Sequence, residues 1–275
     1  MKIVTQSLVK NEQRFIWFAL RSVVEWVDEM MVWDTGSSDQ TREIVKSLDN
    51  PNIKFRSVDG VDALSHTQMR QQMLEATNAD WFIILDGDEV WWRESISQLI
   101  DTILAHPNAS AIISPFYNAV GDIWHYQDPS QISYRIHDLK GGYTIRAINR
   151  HIPGLHITHP HGRQEYQTFD GTAIQSLPMS KLLFVDAPFL HLTHLRRSSF
   201  AGDRSTLKRS FKYRYDLGRS FLPAIFPPEA FYFPRPTRVA DPFAKRGLTF
   251  DAISILAAAA RMVKHHLFPL VTSGY

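Results

Sequence analysis

Two carboxylates separated by a single glycine, Asp86-Gly87-Asp88, close the apolar run Trp81 to Leu85 and are followed by a third acid, Glu89. A buried strand fixes the backbone at such a point. Two hard oxygen donors at its carboxyl end can hold Mg²⁺ or Mn²⁺ while leaving coordination positions for phosphate oxygens. The glycine lets a ligand come close to the backbone. The same residues also suit an ordinary surface turn, and a hydrophobic strand ending in Asp-x-Asp-x-Val suits an aspartyl phosphatase nucleophile. The surrounding elements have to separate these readings.

Alternating strands and helices lead up to the acids. Lys2 to Leu8 reads as a strand, and Asn11 is placed to cap a helix reaching about Trp26 with Phe15, Ala19, Val23 and Val27 inward. Met30 to Trp33 is a second buried strand, ending in the turn Asp34 to Asp39 before a helix with Ile44, Val45 and Leu48 on one side. Ile53 to Val58 is a third strand. Ser65 and Gln68 have the spacing of a capping box for a helix with Met69, Met73 and Ala76 inward, and the Trp81 to Leu85 strand follows. This alternation predicts right-handed crossovers and a doubly wound, mostly parallel sheet over residues 1–115, with ligands at the carboxyl ends of the strands.

A helix from about Glu94 to Ala105 and a strand from Ala111 to Phe116 extend the unit. Ile132 to Asp138 and Tyr143 to Asn149 read as antiparallel additions around Gly141-Gly142, and Leu182 to Leu192 as one further strand. Six prolines between Pro223 and Pro242 predict an extended apolar arm. A basic helix from Thr249 to about Leu267 closes the chain.

With 275 residues, 44% of them apolar, the chain can build a substantial core. It has no cysteine, so thiolate metal sites, disulfides and cysteine nucleophiles are excluded. The net charge of +2 hides an asymmetry: residues 195–275 carry 14 Lys or Arg against 5 Asp or Glu, a balance of +9 that leaves −7 for the rest. A basic tail suits anionic lipid, a polyphosphate or a plain solvated surface. The short polar start and the lack of a long apolar run predict a cytoplasmic protein that spans no membrane.

The ordered set Val9-Lys10-Asn11-Glu12, Val32-Trp33-Asp34-Thr35-Gly36-Ser37-Ser38-Asp39, Arg70 and Leu85-Asp86-Gly87-Asp88-Glu89 resembles family 2 glycosyltransferases of the GT-A fold. The resemblance covers about the first 90 residues and loosens after 120. It implies an inverting, metal-dependent transfer of a sugar from a nucleoside-diphosphate sugar to a glycan or lipid-linked hydroxyl acceptor, in envelope or glycan biosynthesis. It also implies a GT-A catalytic domain over 1–218, divided into a nucleotide-binding half (1–115) and an acceptor half (116–218), with the arm and terminal helix at 219–275. Glu12 and Asp34 would contact base and ribose, with Arg70 near the base. Asp86 would sit by ribose and metal, and Asp88 on the metal itself. Thr35 stands where the family often has a second acid. A turn-capping role for Asp34 and a helix-surface ion pair for Arg70 are the competing readings.

The resemblance extends to His161-Gly162-Arg163-Gln164-Glu165-Tyr166, which is similar to the family's Gly-x-x-His-Glu element with Gln164 in place of the His. It makes Glu165 the general base, with Asp170 an alternative nearby. A third metal ligand, Mn²⁺ or Mg²⁺ being the expected cofactor, would come from His191 or His194; His191 follows the apolar strand directly. Arg196 and Arg197 could clamp the diphosphate or be solvated. His151, His156, His159 and His161 read as an acceptor-loop feature before a zinc site. In the final helix, Phe250, Ile253, Leu256, Ala257, Ala260 and Val263 form an apolar stripe that could pack on the body, dimerise or lie on the inner face of a membrane. Nucleic acid is not an expected partner. A non-catalytic sugar-nucleotide or glycan-binding module on the same fold is the main alternative; a nucleotidyltransferase would need a basic phosphate loop that lone Lys10 does not supply.

Overall fold

The computed structural model describes residues 1–58, 63–160, 163–196, 214–221 and 226–267. A nine-stranded sheet carries the architecture, and its first half follows the alternation of the sequence. β1 (Ile3–Val9) pairs in parallel with β2 (Glu29–Asp34) and β4 (Trp81–Ile84), and β3 (Ile53–Ser57) pairs in parallel with β2. The crossovers are α1 (Ile16–Val23), α2 (Thr41–Lys46) and α3 (Ala63–Ala76). β1, β2 and β4 are buried along almost their whole length, the polar Thr5, Gln6 and Ser7 of β1 included, as strands covered on both faces are.

Several helix details differ from expectation. α1 begins only at Ile16, with no side-chain cap; Asn11 sits in the left-handed region at φ 56° and belongs to the loop before it. α3 already runs at Ala63, so Ser65 lies inside the helix rather than at its cap. Its buried positions are Arg70, Met73 and Leu74, while Ala76 is exposed.

The second half departs further. After Asp88 the chain forms β5 (Glu89–Trp91), an unforeseen strand, and then α4 (Arg93–Ala105). β6 (Ala111–Asn118) is followed by a ladder strand β7 (His125–Tyr126), and the stretch Ile132 to Asp138 forms only the two-residue β8 (Arg135–Ile136), paired with β9 (Leu139–Lys140). β10 (Tyr143–Asn149) inserts antiparallel between β4 and β6 in the main sheet. β11 (His156–Thr158) and β12 (Glu165–Gln167) form a separate hairpin ladder. The expected single strand Leu182 to Leu192 is two: β13 (Leu182–Phe184) and β14 (Phe189–His191), broken before Pro188, each parallel to a different part of β6. Proline cannot donate to a ladder, which accounts for the break.

The strand order is β3-β2-β1-β4-β10-β6-β14-β5, with β13 beside β6. β4 and β5 are thus four inter-strand steps apart, about 19 Å across a flat sheet. The chain from Ile84 to Glu89 reaches at most roughly 17 Å fully extended, and Glu89 N–H donates back to Asp86 O at 3.1 Å in a turn. The sheet therefore curls, bringing its far edge back toward β4. This is the GT-A-type doubly wound α/β arrangement with antiparallel additions.

β15 (Arg219–Ser220) pairs with β7 across the start of the arm. The proline-rich arm is not wholly extended: a 3-10 turn, Glu229–Tyr232, buries Ala230 and Phe231, and the Phe231 ring lies 5.0 Å from Phe18 on α1. Fully burying one such ring contributes about 1.5–3 kcal/mol. The last helix, α5 (Leu248–Leu267), packs through Phe250 and Ser254 while Leu248, Ile253, Ile255 and Leu256 are exposed. Of the expected stripe, Phe250 is packed and Ile253 and Leu256 are open, while the side chains of Ala260 and Val263 lie outside the described ones.

Candidate active site

The loops after β1 and β2 are fastened to each other by short polar side chains. Asn11 Oδ1 accepts from Ser38 N–H at 2.9 Å, Glu12 N–H donates to Thr41 Oγ1 at 2.8 Å, and Gln13 Oε1 accepts from Gln40 N–H at 2.9 Å. Asp34, fully buried at the end of β2, organises the turn: its Oδ1 accepts from Gly36 N–H, from Ser37 N–H and from Arg42 Nε at 2.7 Å. Its Oδ2 is buried and has no hydrogen-bond partner among the described residues. The turn-capping role and a ligand-facing atom thus coexist in one side chain.

Gly87 answers to this loop. A Cβ there would lie 2.9 Å from Glu12 Cγ and 3.3 Å from Ile16 Cδ1. The space beside the glycine is filled by the protein's own Glu12, so the missing side chain admits that residue.

The three acids have distinct surroundings. Asp86, half-exposed, faces two guanidinium groups, Arg70 at 3.5 Å and Arg146 at 3.9 Å. Glu89 is fully buried and ion-pairs with Arg146; its Oε2 accepts from Asp86 N–H at 3.2 Å. Burial pushes the Glu89 carboxyl above its usual range, against the pull of Arg146. Asp88, with a side chain only 3% exposed, lies 3.4 Å from Nε2 of His191. Sheet register produces that proximity: His191 is the partner of Glu89 in the β14–β5 pair, and Leu192 N–H donates to Asp88 O at 2.8 Å.

The sequence does not mark Arg146 as a site residue. The β10–β6 register slips between Ile145 and Ala147, making Arg146 the extra residue of a β-bulge. Such a bulge re-aims one side chain, and here it sends the guanidinium over the Phe189 ring at 5.0 Å and onto the two acids. The available signal was a charge flanked by Ile145 and Ala147 in an otherwise apolar run.

Arg70 is buried. Desolvation would lower its pKa, and the phenol of Tyr166 and the carboxylate of Asp86 raise it more than enough to compensate. Tyr166 O–H reaches Gln6 Oε1 at 3.4 Å, and Gln6 Nε2 donates to Thr77 Oγ1 at 2.7 Å. Gln6, Thr77 and Tyr166, unremarked in the sequence, form the inner support of the Arg70–Asp86 pair. Arg42 likewise escaped notice.

β12 shows which way Glu165 looks. Gln164 donates to Thr67 Oγ1 on α3 and Tyr166 runs to Gln6, whereas Glu165 accepts from Gln167 Nε2 at 2.6 Å and Gln175 Nε2 at 3.0 Å and lies 3.4 Å from His159 Nε2. Alternation puts Glu165 on the face of β12 opposite Tyr166. The structure thus joins Arg70, Asp86, Asp88 and His191, and sets Glu165 across the strand from them. Asp170 caps its own turn, accepting from Thr168 Oγ1 and Thr172 N–H.

His194 lies in the turn after β14, its carbonyl 3.5 Å from Arg214 N–H. Arg196 is exposed; its carbonyl accepts from Arg14 at 3.0 Å, and its charge, after burial, helps lower the Arg14 pKa. Arg197 and His161 lie outside the described residues. The other histidines of the expected cluster are dispersed: His151 meets Asp80 at 3.0 Å, His156 Nδ1 meets Gly154 O at 2.8 Å, and His159 meets Glu165.

Among the described residues no three His or carboxylate side chains form a metal cage. The Asp88–His191 pair nonetheless fits Mg²⁺ or Mn²⁺ held jointly with phosphate: adjacent donors on an octahedral ion are roughly 3 Å apart, close to the separation of these two.

A model of the family described as Glycosyl transferase family 2 matches residues 8–164. A TPR repeat-containing protein of Synechococcus elongatus is 35% identical over 34% of this chain and 23% of its own length. The SPbeta prophage-derived glycosyltransferase SunS of Bacillus subtilis is 24% identical over 40% of this chain and 26% of its own. The chain thus spans about a quarter of the length of these curated relatives. The crystal structure of S. aureus TarS 1-349 in complex with UDP-GlcNAc aligns at a TM-score of 0.49 and 14% identity, covering 75% of this chain and 61% of that one.

Proposed function

The chain belongs to glycosyl transferase family 2, and from that premise we propose that it moves a sugar from a nucleoside-diphosphate sugar to the hydroxyl of a glycan or lipid-linked acceptor, with inversion and with Mn²⁺ or Mg²⁺. The observation that carries the reading is the pairing of Asp88 with His191 at 3.4 Å, beside an Asp86 faced by Arg70 and Arg146. Asp88 and His191 would hold the ion, with Asp86 at the ribose. When bound, the ion neutralises charge building on the departing diphosphate.

The protein's own groups do the rest. The unsatisfied buried Oδ2 of Asp34 supports a nucleotide N–H or O–H at the end of β2. Glu12, packed on Gly87, couples that loop to the acids. Arg196, projecting beside Arg14, would take a phosphate oxygen. The acceptor oxygen attacks the anomeric carbon from the face opposite the leaving group, the bond from that carbon to the diphosphate oxygen breaks, and the hydroxyl proton would pass to Glu165 only once its carboxylate leaves Gln167 and Gln175 and turns to the acceptor side of β12. Both candidate carboxylates are already engaged, Asp170 by Thr168 and Thr172 and Glu165 by Gln167 and Gln175.

Calorimetric titration with UDP, GDP and their sugar conjugates, with and without Mn²⁺, tests the reading on wild type and Asp88→Ala. Metal-dependent binding that Asp88→Ala abolishes supports it; no binding by folded wild-type protein overturns it. A second reading, a binding module without turnover, is favoured by the position of Glu165 across β12. Turnover in wild type that Glu165→Gln removes without weakening donor binding would exclude that module.

A further inference from the structure

The open face of α5 is the feature that the proposed transfer leaves unused. The start of the helix is fixed to the body: Arg246 N–H donates to Asp122 Oδ2 at 3.2 Å, the Arg246 guanidinium ion-pairs with Asp251 at 2.9 Å, and the Phe250 ring lies 5.1 Å from Tyr215. Phe250 and Ser254 point inward. On the other side Leu248 is 87% exposed, Ile255 56% and Leu256 71%, with Ala252 also exposed. Positions 248, 252, 255 and 256 recur at the three- and four-residue spacing that defines one helical face. Three large aliphatic side chains exposed to water on one face call for a partner.

Charge decides which partner. The helix lies in the segment carrying +9 over residues 195–275, and its own sequence continues through Arg261 and Lys264. A second copy would bring an equal positive charge against the first. An anionic lipid surface brings the opposite charge together with an apolar interior, which suits both the apolar face and the basic composition of the segment that carries it. No helix among the described residues is long and apolar enough to cross a membrane. We propose that α5 lies in the interface of an anionic bilayer, with Leu248, Ile255 and Leu256 inserted. It is a peripheral docking surface, independent of whether the acidic site transfers a sugar.

Sedimentation of the full chain with vesicles of phosphatidylcholine plus phosphatidylglycerol, against phosphatidylcholine alone, tests this. The wild type should bind the anionic vesicles and release as salt rises. The triple variant Leu248→Ser, Ile255→Ser, Leu256→Ser changes only exposed positions; it should keep its circular dichroism and unfolding midpoint and lose more than about tenfold in partitioning. Arg261→Glu with Lys264→Glu should erase the preference for anionic lipid. Failure of the wild type to bind anionic vesicles would overturn the proposal. So would a wild-type dimer in sedimentation equilibrium that the triple variant converts to monomer, because the face would then belong to a second copy.

Discussion

Removing Arg146 tests the account of the acidic site most directly, because its partner Glu89 has no access to water. Arg146→Met keeps an unbranched side chain against Phe189 and deletes the charge. Breaking a buried pair from one side destabilises by about 3–5 kcal/mol, since the remaining charge is left uncompensated. The backbone donor from Asp86 at 3.2 Å remains to Glu89, which places the loss toward the lower end, about 3 kcal/mol. For a chain of this size that corresponds to a fall in Tm of ~6–12 °C. Glu89→Gln should be milder, because Arg146 still faces Asp86. The double variant should recover part of the loss, with a coupling on the order of 1–3 kcal/mol. Urea unfolding of the four proteins, without divalent ion, measures the cycle. An Arg146→Met loss below about 1 kcal/mol, or strict additivity in the double variant, would refute the claim that the bulge exists to serve this pair.

Gly87→Ala should destabilise by about 1–3 kcal/mol in the same assay, because the new methyl meets Glu12 Cγ at 2.9 Å; an unchanged midpoint would show that the Asn11–Gln13 loop yields freely. His191→Ala should weaken Mn²⁺-dependent nucleotide binding by at least about tenfold, consistent with loss of one metal ligand, whereas His194→Ala should leave it within a factor of about two; calorimetry giving the reverse order would move the site to the turn. Asp122 is tied to the start of α5, and although burial alone would raise its carboxyl, hydrogen bonds from His125 and the N–H groups of Arg246 and Trp124 hold it below the usual range. A carboxyl lowered by folding stabilises above its unfolded pKa of about 3.9, and that contribution disappears as pH falls through the lower folded value. The stability gap between wild type and Asp122→Asn should therefore be largest near neutrality and close below about pH 4, and a gap constant from neutral to acid pH in urea titrations would contradict the assignment.

What could be read from the sequence was whatever a strand or helix advertises locally. β2 and β4 announce themselves as apolar runs, β1 less so because Thr5, Gln6 and Ser7 interrupt it, and the acids at the end of β4 follow at once. His191 was legible for the same reason, as the residue directly after an apolar strand. The insertion of β10 between β4 and β6 was not, because strand neighbours are chosen by long-range packing rather than by the residues between them. Arg146 was lost with it: a lone Arg in a strand reads as solvent-facing until a bulge turns it inward. The break at Pro188 is legible, since proline cannot donate to a ladder. Glu165 illustrates a different limit, since which face of a two-strand ladder meets the site depends on what Gln164 and Tyr166 grip, on α3 and β1.

The curl of the sheet makes the acidic turn a mechanical part as well as a chemical one. Four residues, Leu85 to Asp88, join strands that sit four places apart in the sheet order, so the turn acts as the string of a bow whose limb is β10, β6 and β14. Its length, shortened further by the turn bond from Glu89 N–H to Asp86 O, caps how far the two ends of the sheet can separate, so flattening the sheet would first have to open that turn and draw the two acids apart. A single residue inserted at position 87 would slacken the string, and its damage should appear first as loosened amide protection along β5 and β14, on the far limb, before any helix is disturbed.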